Sequence, residues 1–562
     1  MNWLSTLSEN PFYEFAIILF FAALLGGLGQ LLKQPLIVMF IALGILVGPA
    51  VLDVVKSREN IHLLAEVGIA ILLFIVGLKL DLRIIRSIGK IALLTGLGQV
   101  LFTSLIGYII GISLGFPPLH SFYIAVALTF SSTIIIVKLL SDKKEIDSLH
   151  GQIAVGFLIV QDMVVILVMI VLSTIKQDEE ASILRSIGTT LLSGIVLFLL
   201  TLSAMKWVIP KIGAFLGKSQ ELLVLFAVAW SVTLATLSEL MGFSGEVGAF
   251  LAGVSLASSQ FKNTISSRLV SLRDFLLLFF FVILGADLSF ETIGSQVGSA
   301  LFFSFFVLIG NPIIVLIIMG AMGYRKRTAF LAGLTVAQIS EFSLIFAGLG
   351  LSLGHITEET VGLITLVGLI TIGLSTYLIL YSYPIYEFLS PVLRIFERKS
   401  YDSERNLELI GQNKYDVIII GLGRFGSKIA EILDQHPTIN YLGIDFDPKI
   451  IKTWENRGKN IAYGDMEDPE ILEQIPFSSS KCVISTVAEV EPSRHLIKML
   501  RSNHYSGKVY LSALKVKEID LLKDCGADKI LIPHHMAAIY FFNTYLKRIL
   551  EDPSSEDYGL RP

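Results

Sequence analysis

From about residue 12 to about residue 388, apolar runs long enough to cross a bilayer follow one another with only short polar loops between them. Lipid offers no water to unpaired N–H and C=O groups, so each run is expected to satisfy its backbone internally, as a helix does. A helix needs about 20 residues, at about 1.5 Å of rise each, to cover the hydrocarbon core. By that measure the chain holds about thirteen spans, among them Ala16–Leu32, Leu36–Leu52, Ala70–Leu78, Ala92–Leu114, Phe122–Leu140 and Ile153–Ile175.

At 562 residues the chain is too long for one domain. The pattern divides it into a membrane part over 1–388, a charged linker over 389–412, a soluble domain over 413–535, and a terminal helix and tail over 536–562. The first residues are polar and no cleavage-like site follows, so no signal peptide is expected. Both cysteines, Cys482 and Cys525, fall in the soluble part, where a cytoplasmic location would keep them as thiols. The net charge of −4 argues against a nucleic-acid partner.

Loop charges give the orientation. Assigning loops alternately to two sides gathers Lys79, Arg83, Arg86, Lys90, Lys143, Lys144, Arg325, Lys326 and Arg327, with others, on one side. The opposite side receives Lys56, Arg58, Lys176 and Arg185. The basic side is therefore expected in the cytoplasm together with the soluble domain, and an odd number of spans puts the amino terminus outside the cell membrane.

Polar residues inside the spans are the informative ones. In "FLIVQDMVVILVMIVL" (Phe157–Leu172) a single polar pair, Gln161 and Asp162, interrupts the apolar run. A carboxylate at the centre of a membrane helix costs roughly 2.5–3.5 kcal/mol by insertion scales, so Asp162 is a functional candidate. Glu341 likewise sits several residues inside an apolar run, whereas Glu66, Glu239, Glu246 and Asp287 are expected at span ends. "TFSSTIII" (Thr129–Ile136) and "AQISEF" (Ala337–Phe342) break their spans with small polar groups about two hundred residues apart. Paired broken segments suggest inverted repeats with an ion site at the midplane. Ordinary hydrogen bonding between helices is the alternative use of such groups.

After the membrane part the pattern changes to strands alternating with helices: "YDVIIIG", "INYLGID", "NIAYGD", "CVISTV", "KVYLSAL" and "KILIP". Continuous apolar strands separated by helical segments argue for a parallel sheet covered on both faces. "GLGRFG" (Gly421–Gly426) follows the first strand and opens a helix, and Asp445 ends the second strand nineteen residues beyond Gly426. Glycines there let backbone N–H groups approach a phosphate at the helix start, and the acid stands where a ribose hydroxyl would be held. The alternative is a Rossmann domain whose glycines only pack helix on sheet. The chain shows no nucleophile, base and orienter set, and His534 and His535 read as surface residues. A nucleotide sensor, acting through unequal affinity for two conformations, fits better than an enzyme.

Together "KQPLIVMFIALGILVGP" (Lys33–Pro49), "FIVGLKLDL" (Phe74–Leu82), "TFSSTIIIVKLL", "LIVQDMVVI", "GEVGAFLAGVSLA" and "AQISEF" resemble the monovalent cation:proton antiporters of the CPA2 type. The soluble part resembles the RCK amino-terminal (TrkA-N) domain, and the combination is most similar to the Kef-like potassium efflux antiporters over about residues 12–535. The resemblance implies a polytopic α-helical membrane domain with crossed broken helices, followed by an α/β Rossmann-like RCK domain. It makes Asp162 the group that alternately binds a proton and K+. Gln161 stands where relatives carry Asn or a second Asp, which implies electroneutral exchange. Thr129, Ser131, Ser132 and Thr133 on one broken helix, and Gln338 and Glu341 on the other, would complete the site. Gly421, Leu422, Gly423, Arg424, Phe425, Gly426, Asp445, Asp465, Met466 and Thr486 would hold an adenine nucleotide, either AMP or NAD(H). The resemblance also implies a homodimer, with room for an accessory subunit.

This sequence departs from the family at Lys79, where an acid is common, and at Glu246, which replaces a small apolar residue. "LSALK" (Leu511–Lys515) lacks the arginine of glutathione-gated members, so glutathione control is not expected. Three other readings stay open. The same scaffold could carry Na+. It could be a potassium channel gated by its RCK domain, although no "TVGYG" filter is present. It could be a membrane-anchored oxidoreductase, although no substrate domain accompanies the sheet.

Overall fold

The apolar runs fold as helices. The computed structural model describes residues 11–49, 51–79, 90–173, 196–209, 219–396 and 414–547, apart from 144, 147, 198, 242, 289, 465, 467–474, 489, 503 and 514–516. The chain forms two compact units that divide near residue 398.

The membrane unit begins with α1 (Pro11–Leu31), α2 (Leu36–Val47), α3 (Arg58–Lys79) and α4 (Lys90–Ser113). Two half-length helices, α5 (Pro118–Ala127) and α6 (Thr133–Asp142), precede α7 (Leu149–Ser173). Then come α8 (Gln220–Leu240), α9 (Gly245–Leu256) and α10 (Lys262–Ala286). A π turn at Phe306–Gly310 joins α11 (Phe290–Phe305) to α12 (Asn311–Ala321). A second pair of half-helices, α13 (Lys326–Leu334) and α14 (Glu341–Ser352), leads into α15 (Glu358–Leu380) and α16 (Ser382–Leu393). Among the described residues eight helices are long and apolar enough to cross a membrane, and four shorter ones are apolar.

Several spans differ from expectation at their ends; the first, for one, starts at Pro11 rather than Ala16. The span expected to reach Leu52 stops at Val47, where Gly48 and Pro49 follow; proline restricts its predecessor to extended backbone. The span expected from Ala70 starts at Arg58, because its first turns carry Arg58, Glu59, His62 and Glu66 and so escape a hydropathy reading. The helix α16 crosses the expected boundary at 388, with Tyr386 and Leu393 buried. Most of the linker "RIFERKSYDSERNLELIGQNK" lies outside the described residues. Glu239, Glu246 and Asp287 do lie at helix ends, in the last turn of α8, in the first turn of α9 and capping α10.

Small residues let the helices touch where lipid supplies no hydrophobic drive. A Cβ on Gly253 of α9 would run into the Phe74 carbonyl of α3, and one on Gly77 into the Phe250 carbonyl. Gly44 of α2 and Gly285 of α10 meet in the same reciprocal way, against the Val282 and Ile41 carbonyls. Gly253→Val should therefore cost roughly 1–3 kcal/mol or more by overpacking. Its melting temperature in detergent should fall, while Gly298→Val, with nothing within 4 Å of the added Cβ, should melt like the parent protein.

The order long helix, half-helix, half-helix, long helix occurs twice, as α4–α7 and as α11–α15. Tyr123 of α5 ties the two sets together. Its ring stacks on Phe346 of α14 at 4.9 Å, and its hydroxyl lies 2.7 Å from His355 Nδ1.

The soluble unit contains β1 (Val417–Ile420), β2 (Tyr441–Asp445), β3 (Ile461–Tyr463), β4 (Cys482–Ser485), β5 (Lys508–Ser512) and β6 (Lys529–Leu531). Each matches one of the six apolar runs, and all are parallel in the order β3-β2-β1-β4-β5-β6. The covering helices are α17 (Arg424–Leu433), α18 (Pro448–Glu455), α19 (Val490–Ser502) and α20 (Glu518–Asp524), and α21 (Pro533–Phe541) follows β6 with none of its residues buried. Strand order reverses beside β1, between β2 and β4, which opens a crevice at the carboxyl ends of the strands.

Candidate ion site and nucleotide cleft

Both expected breaks are present. Residues 128–132 separate α5 from α6, and residues 335–340 separate α13 from α14. Each second half-helix is capped by a serine. Ser132 Oγ accepts the Ile135 N–H at 3.3 Å, and Ser340 forms a capping box with Ser343.

Asp162 lies on α7 beside the first break, where the Thr133 hydroxyl donates to its Oδ2 at 2.9 Å. The neighbouring Gln161 is fully buried and accepts the Ser131 N–H through Oε1 at 3.2 Å. Four of the expected residues, Asp162, Gln161, Ser131 and Thr133, thus meet. The Ser131 hydroxyl is buried without a protein partner and remains available as a ligand. Ser132 is used as a cap, and the Thr129 hydroxyl donates back to the Val126 carbonyl at 2.7 Å.

At the second break, Gln338 Oε1 accepts from Ser375 at 2.8 Å, while its Nε2 has no protein partner. Glu341 is 1% exposed, and its Oε1 is also without a partner. It is the first residue of α14, where a carboxylate offsets the positive end of the helix dipole. One orphaned atom lies in the break and the other on the residue that follows it.

Sequence reading missed the side chains that join the breaks: Gln99, Thr103 and Asn311, all fully buried. The only signal was a lone amide inside an apolar run, in "TGLGQVLFTS" and "VLIGNPII". A groove lined by Leu73, Ile166, Met169, Ile170, Glu246, Val247 and Phe250 lies between α3, α7 and α9. Ile166, Met169 and Ile170 follow Asp162 at helical spacing, so the groove lies along the face of α7 that carries the acid.

A second polar cluster sits in the loop between α6 and α7. Glu145 pairs with Lys143 at 2.9 Å and His150 at 3.1 Å and accepts from the Tyr383 hydroxyl at 2.7 Å. Burial alone would raise the Glu145 carboxyl, but the hydrogen bond and charge of His150, with the Lys143 ammonium, outweigh it and hold it at about 2. A depressed carboxyl stabilises the fold above its ordinary range, and that stability is lost as pH falls through the folded value. Glu145→Gln should cost roughly 1.5–3 kcal/mol at neutral pH. It should also flatten the fall in melting temperature between the ordinary carboxylate value of 4.5 and about 2.

In the soluble unit the three glycines of "GLGRFG" do three jobs. Gly421 has φ +84° and leaves no room for a side chain, since a Cβ would sit 2.8 Å from Thr486 Oγ1. A Cβ on Gly426 would run into the Gly421 carbonyl, so this glycine sets the closeness of helix to strand. Gly423, capping α17, has nothing within 4 Å of an added Cβ. That open face at a helix amino terminus is the cradle a phosphate needs.

The Thr486 hydroxyl donates to the Gly421 carbonyl at 2.7 Å and fixes the loop. Asp445, 4% exposed, accepts the Leu422 N–H at 2.6 Å and the Asp447 N–H at 2.9 Å. Burial pushes its carboxyl up, against the pull of those backbone donors. Arg424 and Phe425 follow on the first turn of α17, and Met466 is buried under Ser485, whose hydroxyl lies 3.5 Å from its sulfur. Asp465 lies outside the described residues.

Residues 16–380 match the transmembrane sodium/hydrogen exchanger family, and residues 417–533 match the TrkA-N domain. A protein named iron transporter MagA, from Paramagnetospirillum magneticum, is 31% identical over 376 residues, covering 66% of this chain and 85% of its own. One named K(+) efflux antiporter KefB, from Alkalimonas amylolytica, is 25% identical over 98% of this chain and 83% of its own. One named cation/proton antiporter YbaL, from Escherichia coli, is 24% identical over 95% of this chain and 96% of its own. The chain belongs to the sodium/hydrogen exchanger family, as a Kef-like cation/proton antiporter whose membrane domain is followed by a TrkA-N domain.

Proposed function

We propose that the protein exchanges K+ for H+ electroneutrally, with Asp162 holding one or the other. The observation behind this reading is the pairing of Asp162 with the Thr133 hydroxyl at a helix break, beside a neutral and fully buried Gln161. Low dielectric makes a bare carboxylate costly, so the acid favours whichever positive partner is at hand. One charge can satisfy one partner at a time, and the coupling of the two fluxes follows. A single ionisable member in the pair keeps net charge movement at zero. The Ser131 hydroxyl, Gln338 and Glu341 have polar atoms to spare and would complete the coordination as the domain moves.

The groove along α7 would be one approach to Asp162. The positive-inside bias of the loops supports a cytoplasmic TrkA-N domain in the cell membrane, and the family organisation supports a homodimer. The soluble unit would bind AMP or NAD(H) with its phosphate at Gly423 and its ribose at Asp445, and so bias exchange. The test is flux through purified protein in vesicles with K+, Na+ or Rb+, with and without each nucleotide. Faster exchange with K+ supports potassium efflux as the function, and faster exchange with Na+ replaces it with sodium antiport on the same site.

A further inference from the structure

The side chains that join the two breaks form a chain of hydrogen bonds whose direction is fixed at both ends by the backbone. At one end Asn311 Nδ2 faces the Leu128 carbonyl at 3.0 Å and the Val336 carbonyl at 3.5 Å. Carbonyls only accept, so the amide nitrogen must face them and Asn311 Oδ1 must point away. That oxygen requires a donor, which is the Thr103 hydroxyl at 2.9 Å. Having given its proton there, Thr103 can only accept from Gln99, whose Nε2 lies 3.1 Å away. Gln99 Oε1 is thereby turned toward Gln161, whose Nε2 donates to it at 2.7 Å. Gln161 Oε1 is left facing the other fixed end, the Ser131 N–H at 3.2 Å.

No link in this series can turn over alone without setting donor against donor or acceptor against acceptor. All five residues are fully buried, so water does not relieve a mismatch. The π turn before α12 contributes the placement. Pro312 lacks an N–H and crowds the preceding turn, and the wider Phe306–Gly310 turn accommodates it. Asn311 then faces inward while Ile309, Ile313 and Ile317 remain exposed on the other side.

We infer that Asn311, acting through Thr103 and Gln99, is a positioning residue that holds the Gln161 amide oxygen at the first break. The inference rests on the proposed role of Asp162. A Gln161 amide turned over would bring an NH2 group to the break where Thr133 meets Asp162, and that partial positive charge opposes a cation there. The network therefore keeps an acceptor rather than a donor turned toward the break beside Asp162.

Thr103→Val removes the one hydroxyl in the series at nearly unchanged volume. The Michaelis constant for K+ in vesicle exchange should rise about fivefold to tenfold, with maximal rate changed less than about twofold. Thr103→Ser should restore it. A residue that merely packs would leave the constant where it was and lower only the melting temperature. In a Gln161→Met background, where the series is already cut, Thr103→Val should add nothing, because coupled residues are not additive. An unchanged Michaelis constant in Thr103→Val, or independent multiplication of the two effects, overturns the positioning role. K+-dependent stabilisation of detergent-solubilised protein, with Asp162→Asn alongside, reads binding without exchange. If Asp162→Asn keeps that stabilisation, the exchange reading fails instead.

Discussion

Asp162→Asn should abolish K+-driven proton movement in vesicles while leaving the protein folded. Asparagine matches the size of the acid and keeps an oxygen for the Thr133 hydroxyl, which now lies 2.9 Å from the carboxylate. It cannot take up a proton or balance a cation. Stripping a cation of water without a counter-charge costs several kcal/mol, so exchange should fall at least about a hundredfold. A pH dye inside the vesicles reads the loss, and an unchanged size-exclusion profile separates it from misfolding. Thr133→Val is the graded companion, because it removes a hydrogen bond to a charge and keeps the charge. A fall of about tenfold is expected there.

Gly423→Val should abolish nucleotide binding without disturbing the soluble unit. The glycine loop allows these two effects to be separated. A side chain at Gly426 would run into the Gly421 backbone and break the fold, whereas one at Gly423 enters open space at the helix start. That space is where the phosphate would sit, so affinity for NAD(H) or AMP should drop at least about a hundredfold. Exchange should then no longer respond to either nucleotide. Calorimetric titration of the full-length protein gives the affinity, and parent and variant binding equally would overturn the cleft assignment. The buried Asp445 adds a pH dependence of known sign. Its carboxyl is raised, so the acceptor form that would hold a ribose hydroxyl is lost at a higher pH than for an ordinary aspartate, and binding should weaken earlier on acidification.

Much of this arrangement was legible in the chain, for identifiable reasons. The six strands could be read because a parallel strand buried on both faces is a continuous apolar run, as in "VIII" at β1. The breaks could be read because Ser, Thr, Gln and Glu cluster there inside otherwise apolar runs, a pattern that hydrogen bonding between helices would also produce. The start of α3 was hidden, since a helix whose first turns carry charge offers no hydropathy signal. Asn311 was hidden for a different reason. Its hydrogen-bond partner Thr103 is 208 residues away, and no local pattern announces a contact made only by packing. Ser375 beneath Gln338 is a milder case, 37 residues away on α15.

The central claim is that one carboxylate holds a proton or a cation in turn, with no net charge crossing the membrane. Vesicles carrying the protein and loaded with K+ can report internal pH and membrane potential at the same moment. Acidification inside on K+ efflux, at an undiminished rate when the potential is clamped at zero, and no potential generated when it is free, is the expected outcome. A potential that builds up with transport, or a rate set by the clamp voltage, would contradict it.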